Sequence, residues 1–159
     1  MISFEPPVDR TRPRERDLPE EVFHAIYGLV PRLTVEVLLV SDGGVLLTKR
    51  RSGPCKGLWH IPGGTVRYGE SLADAAARIG LRELGLVLTT HEMIGVIEYP
   101  SHLAAGIDWP VGVVIPAVSN GRLNSDDARW FDVLPREMHE EQRSFLEAID
   151  LRTLPHSSR

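Results

Sequence analysis

The chain has 159 residues, 42% apolar and 25% charged, an ordinary globular balance long enough to bury one core. A net charge of −4 argues against general binding to nucleic acid or to anionic membranes. The single cysteine, Cys55, excludes an intramolecular disulfide and any multi-cysteine zinc site, and no apolar run reaches spanning length, since residues 33–40 are broken by Glu36.

Residues 1–17 place Pro6, Pro7 and Pro13 among Arg10, Arg12, Arg14 and Arg16. They read as an irregular arm, solvated rather than phosphate-binding because Asp9, Glu15 and Asp17 alternate with the arginines. No apolar stretch follows the first charges, so the expectation is a cytoplasmic protein with residues 18–159 as one domain. Pro19, Glu20 and Glu21 suit a helix start; Val22, Phe23 and Ile26 form its apolar face, and Gly28 or Pro31 ends it. A strand at 33–40, a turn at 41–44 and a strand at 45–50 form a hairpin. Residues 59–61 make a short strand running into Pro62-Gly63-Gly64. Ser71 caps the next helix, with Asp74 three residues on, and Gly85 stops it. Strands follow at 92–99 and 111–118, joined by an irregular loop at 100–110, and a short strand at 128–133. Pro135 opens a helix through Ala148 with Met138, Phe145 and Leu146 buried. The order is that of an α+β protein, an α/β/α sandwich with a mixed sheet between helices.

One stretch, residues 57–86, concentrates the chemistry: GLWHIPGGTVRYGESLADAAARIGLRELGL. Gly64, Glu70 after five residues, Arg78 after seven more, Glu83 and Gly85-Leu86 fall at the spacing of the Nudix box, which this stretch resembles. Gly57-Leu58-Trp59 and Pro62-Gly63-Gly64 resemble the family's approach to that box. Positions 79, 82 and 83 share a helix face. Three glutamates there would gather several hard divalent cations around a diphosphate. Here they are Ile79, Arg82 and Glu83, one carboxylate beside one cation. At most one metal fits such a patch, completed by a backbone carbonyl of Gly63 or Gly64 and a donor from elsewhere.

The altered box also resembles the GDP-mannose mannosyl hydrolase branch of the Nudix superfamily, as do Leu46-Leu47-Thr48-Lys49-Arg50 with Pro54, and Asp126-Asp127-Ala128-Arg129-Trp130. That resemblance implies the Nudix fold and hydrolysis of a nucleotide diphosphate sugar, or a related nucleoside diphosphate derivative, at the anomeric carbon. It implies a single Mg²⁺, with Mn²⁺ as a substitute, and a homodimer without nucleic-acid or membrane partners. Glu83, a carbonyl of Gly63 or Gly64, and Asn124 would be metal ligands. Arg50 and Arg78 would contact the diphosphate, Arg78 and Glu83 would carry catalysis, and Glu36 would lie near the nucleoside. Two positions depart from the branch: Ser125 stands where it has a basic His, and Thr65 where it has an Arg. Asp126, Asp127, Glu98, His60 and His102 are alternative bases. A nucleotide-sugar binding protein with little or no catalysis is the rival reading.

Other residues read more plainly. Glu70 and Gly85 are structural within the motif, and Ile79 is core or site-facing. Arg82 is a surface charge or a phosphate contact. Trp59 and Trp130 are core residues, whereas Trp109, in the irregular loop, is the aromatic expected to meet a base or sugar. His24 and His139 are surface or packing residues on helices. Cys55 has no catalytic partner near it in the sequence and reads as incidental.

Overall fold

The computed structural model describes residues 18–42, 44–51 and 55–158, so the arm expected at 1–17 lies outside the described residues. Strand β1 (Arg32–Ser41) organises the rest, and it is buried from Thr34 onward. Strand β2 (Gly44–Lys49) turns back against its end, with Ser41 paired to Gly44. Two short strands follow, β3 (Trp59–His60) on β2 and β4 (Gly63–Thr65) on β1. Beyond the central helix, β5 (Thr89–Thr90) and β6 (Gly95–Glu98) both pair with β7 (Pro110–Val118), which runs parallel to β1. The last strand, β8 (Ala128–Phe131), pairs with β2.

A strand buried on both faces needs a largely apolar run, and β1 supplies one from Val35 to Val40, interrupted by Glu36. Its side chains alternate between two cores. Val35, Val37 and Leu39 pack with Ala75, Ala76 and Ile79 of α2 (Leu72–Ile79). Leu38 and Val40 pack with Leu146 of α4 (Glu140–Ala148). The sheet thus lies between helices, the α+β sandwich that the element order predicts. Glu36 shares the parity of Leu38 and so falls on the α4 side.

Several boundaries differ from the sequence reading. Helix α1 (Glu20–Tyr27) forms and Gly28 caps it, but Val22 and Ile26 remain exposed rather than buried. The loop expected at 100–110 contains a turn of helix, α3 (Pro100–Ala104), with Pro100 at its first position, where a missing N–H costs nothing. Helix α4 starts at Glu140 instead of Pro135. The backbone before it is drawn to β3: Trp59 N–H donates to the Glu137 carbonyl and His139 N–H to the Trp59 carbonyl. Met138 is therefore buried outside the helix. Helix α2 does not run straight to Gly85; it passes into a π turn, Gly80–Leu84. Among the described residues, no helix is long and apolar enough to cross a membrane.

Candidate functional site

The motif folds as a loop and helix closed by its own side chains. Ser71 Oγ accepts the Asp74 N–H at 3.1 Å and caps α2. Glu70 receives Arg78 in a two-point pair, Nε to Oε1 and a terminal nitrogen to Oε2, both 2.7 Å. Glu70 also accepts the Arg67 N–H, and Arg78 donates to the Thr65 carbonyl at 3.0 Å. The guanidinium holds the Glu70 carboxyl below the usual carboxylate range. Glu70 and Arg78 thus close the loop between β4 and α2 onto the helix. Gly85 ends the π turn with φ 67, where a side chain is strained and an added Cβ would press on Asn124.

As their spacing predicts, residues 79, 82 and 83 all address Gly63 and Gly64, which lie in β4 rather than in a turn. A Cβ on Gly64 would stand 3.5 Å from an Arg82 nitrogen and 3.6 Å from Ile79 Cγ1. Ile79 is fully buried, so the core and site-facing readings of it coincide. Glu83 accepts the Gly63 N–H, and Arg82 lies 3.6 Å away. Burial raises the Glu83 carboxyl, while Arg82, the Gly63 N–H and Arg50 pull it down.

Glu36 is packed so closely on Gly63 that a Cβ there would collide with its carboxylate. It accepts from Thr34 Oγ1 at 2.9 Å and from Gln142 Nε2 at 3.3 Å. Burial above all, with a contribution from the Glu83 charge, pushes its pKa up to about 7. Glu36 lines a small cleft with Arg32, His60, Tyr99, His102 and Gln142, and Gly63 and Gly64 form its floor. The cleft encloses about 60 Å³. That is room for a few waters or one small group, so the bulk of any nucleotide would lie outside it. A larger groove between β6 and α4 carries Glu98, Glu140 and Glu141 and, among the described residues, no cation in its lining, which suits a diphosphate poorly.

The remaining expected residues are scattered more widely. Arg50, exposed at the end of β2, lowers the proton affinity of Glu83, His60 and His139, which places its charge at this cluster. Asn124 is exposed, and its N–H is bonded to the Leu84 carbonyl next to Glu83. Trp109 is 41% exposed and stands just outside the cleft wall, between Asp108 and Pro110. Trp59 and Trp130 pack in the two cores as expected. Of the alternative bases, Glu98 faces the acidic groove and Asp127 pairs with Arg51. His60 and His102 are in the cleft wall, and burial lowers the His60 pKa to about 4.

Three arrangements escape the sequence reading. Thr65 accepts from Arg32 at 2.9 Å, so a guanidinium from β1 reaches the position that lacks its arginine. Arg32 is held by Asp108 at 2.6 Å. Gln142 bridges the Ile61 N–H, Glu36 and Tyr99. His139 is buried at the start of α4, the packing alternative of the two expected, and Cys55 lies 3.5 Å from His102. Only a buried glutamine on a short apolar helix face could have hinted at any of these.

Comparison with known proteins agrees with this architecture. The NUDIX domain model matches residues 30–149. The low-salt glycan biosynthesis protein Agl8 of Haloferax volcanii is 38% identical over 93 residues, 57% of this chain and 60% of that protein. The chain therefore spans less than two thirds of that relative's length. The ADP-ribose pyrophosphatase of Methanocaldococcus jannaschii is 28% identical over 123 residues, 76% of this chain and 70% of that protein. A MutT NUDIX hydrolase from Burkholderia pseudomallei superposes with a TM-score of 0.69 at 29% identity, covering 76% of this chain and 99% of that one. With its box residues gathered on Gly63 and Gly64 and the domain match spanning most of its length, the chain belongs to the NUDIX family.

Proposed function

We propose that this chain is a Nudix hydrolase that uses a single Mg²⁺, replaceable by Mn²⁺, to hydrolyse a nucleotide diphosphate sugar or a related nucleoside diphosphate derivative. The observation that carries the reading is Glu83, a carboxylate turned onto the Gly63 N–H in the place where the box normally gathers several. The donor set fits one hard divalent ion. Glu83 and Glu36 flank the same glycine, and the Glu83 charge opposes the ionisation of Glu36, an effect that a cation would relieve. Glu83, a carbonyl of Gly63 or Gly64, and Asn124 would hold the ion. When bound, it would neutralise diphosphate charge.

The chain's own residues do the rest. Arg50, exposed beyond the end of β2 with its charge felt at Glu83, attracts the diphosphate, and Arg32 offers a second guanidinium in the cleft wall. Arg78 and Glu70 hold the loop that follows Gly63 and Gly64. Glu36, with a pKa of about 7, is suited to take a proton from attacking water near neutrality, a role that Ser125 cannot fill. The nucleoside extends past Trp109.

The test is turnover of a panel of nucleotide sugars, ADP-ribose and oxidised nucleoside triphosphates with Mg²⁺. Glu83→Gln is expected to lower kcat by about 10²-fold or more on the best substrate. No turnover above that variant on any compound would sink the proposal. Hydrolysis in ¹⁸O-water then separates attack at carbon, which labels the sugar, from attack at phosphorus, which labels phosphate. The 3.6 Å approach of Arg82 to Glu83 favours a second reading, a nucleotide-sugar binding protein with its metal patch neutralised. Thermal stabilisation by ligand without Mg²⁺ and without turnover would favour it.

A further inference from the structure

Three side chains that the hydrolase reading leaves unused converge beside the cleft. Cys55 comes from the loop before β3, His102 from α3, and His139 from the segment before α4. Cys55 Sγ lies 3.5 Å from His102 Nε2, and His102 Nε2 lies 3.2 Å from His139 Nε2. All three donor atoms are within 4.8 Å of one another. Both imidazoles are buried.

The other ring nitrogens face carboxylates. His102 Nδ1 is 2.9 Å from Asp108 Oδ1, and that carboxylate is held in turn by Arg32. His139 Nδ1 is 3.1 Å from Glu141 Oε2, at an ion-pair distance but off the hydrogen-bond line. The Asp108 hydrogen bond favours a proton on His102 Nδ1, and the nearby Glu141 carboxylate draws the His139 proton to the same side, which turns the Nε2 atoms to a metal. At 3.2 Å the two Nε2 atoms share a proton in an N–H···N contact, and a metal ion bound by both lone pairs would take that proton's place.

We propose that Cys55, His102 and His139 form a binding site for one borderline-soft divalent transition metal of the Zn²⁺ type. A tetrahedral ion with bonds of about 2.3 Å to sulfur and about 2.0–2.1 Å to nitrogen separates S and N by about 3.5 Å and two N by about 3.3 Å. The two measured edges are 3.5 and 3.2 Å. The third edge, within 4.8 Å, shortens on binding. Asp108 and Glu141 act as the outer carboxylates that orient ligating histidines. Three protein ligands leave a fourth position for water, and His102 is part of the cleft wall. Oxygen-seeking Mg²⁺ would not compete for this sulfur and nitrogen set. The site does not depend on the hydrolase reading.

The test is metal binding by the whole chain after chelator treatment and repurification. Addition of Zn²⁺ followed by gel filtration is expected to leave one equivalent per chain, and Glu83→Gln should retain it. Co²⁺ should give the intense visible bands of a tetrahedral ion and a thiolate charge-transfer band. Cys55→Ser should abolish the charge-transfer band, and His139→Gln should weaken binding at least about tenfold. Should the histidine variant fail to fold, Zn²⁺ should still slow alkylation of Cys55 in the unaltered protein at least about tenfold. Absence of stoichiometric Zn²⁺, or a Co²⁺ spectrum indifferent to Cys55→Ser, would overturn the proposal. So would rapid Cys55 alkylation unaffected by Zn²⁺, the mark of a thiol–imidazole nucleophile.

Discussion

Glu36 and Glu83 meet at the same glycine, yet their surroundings treat them differently. Glu83 has Arg82 and the Gly63 N–H to offset its burial, whereas Glu36 has mainly the neutral hydroxyl donors Thr34 and Tyr99. Its pKa rises from 4.5 to about 7. The folded chain therefore holds that proton more tightly than the unfolded chain does. The resulting stability is fully present below about 4.5 and is lost as pH rises through about 7, a change of about 3 kcal/mol. Glu36→Gln removes the titration. In chelator, it is expected to raise Tm over the unaltered protein by about 5–10 °C at pH 8 and by much less at pH 4.5. Thermal unfolding across pH reads this directly; an equal difference at both ends would show that burial of Glu36 is not what the fold opposes. Nothing in the sequence assigns Glu36 this environment, because Gly112, Gln142 and Tyr99 come from distant segments.

At the scale of elements, the motif is a loop strapped to a helix, and Arg78 is the strap. Its two-point pair with Glu70 and its bond to the Thr65 carbonyl are mostly shielded from water, with side-chain exposures of 16% and 13% for the ion pair. A lysine keeps the charge but not the fork. Arg78→Lys is expected to cost about 1–3 kcal/mol in urea unfolding and to speed amide exchange in residues 65–70. Unchanged exchange there would mean that the loop is held by its backbone alone. The helix start was legible in Ser71 and Asp74, and its end in Gly85, because capping is a short-range pattern. The π turn was not, since a five-residue hydrogen-bonding register leaves no periodic trace in one turn. Likewise Pro135 is a fair helix opener by itself, but β3 competes for the same backbone and wins.

Across the whole molecule, α4 is tied to the sheet by Gln142 as much as by Leu146. The Gln142 side chain accepts the Ile61 N–H at 2.7 Å and donates to Glu36 and Tyr99. Gln142→Leu keeps the volume, leaves the buried Ile61 N–H unmatched and removes a donor to Glu36 and Tyr99. It is expected to destabilise by about 2–4 kcal/mol, measured by denaturant unfolding, and to alter the pH dependence of stability by freeing Glu36. A neutral result would place the docking energy in the apolar contacts of α4.

The sequence by itself determined the sandwich and the motif. Alternation along β1, the caps of α2 and the spacing of Gly64, Glu70, Arg78 and Glu83 are properties of neighbours a few residues apart, and local geometry converts them into faces. Tertiary structure alone decided which groups meet. Arg32 reaches Asp108 across 76 positions, Cys55 reaches His102 across 47, and Gln142 reaches Glu36 across 106. Such pairs have no period. They exist because a mixed sheet brings distant strand ends and loops together above one glycine pair, and burial there sets their charge.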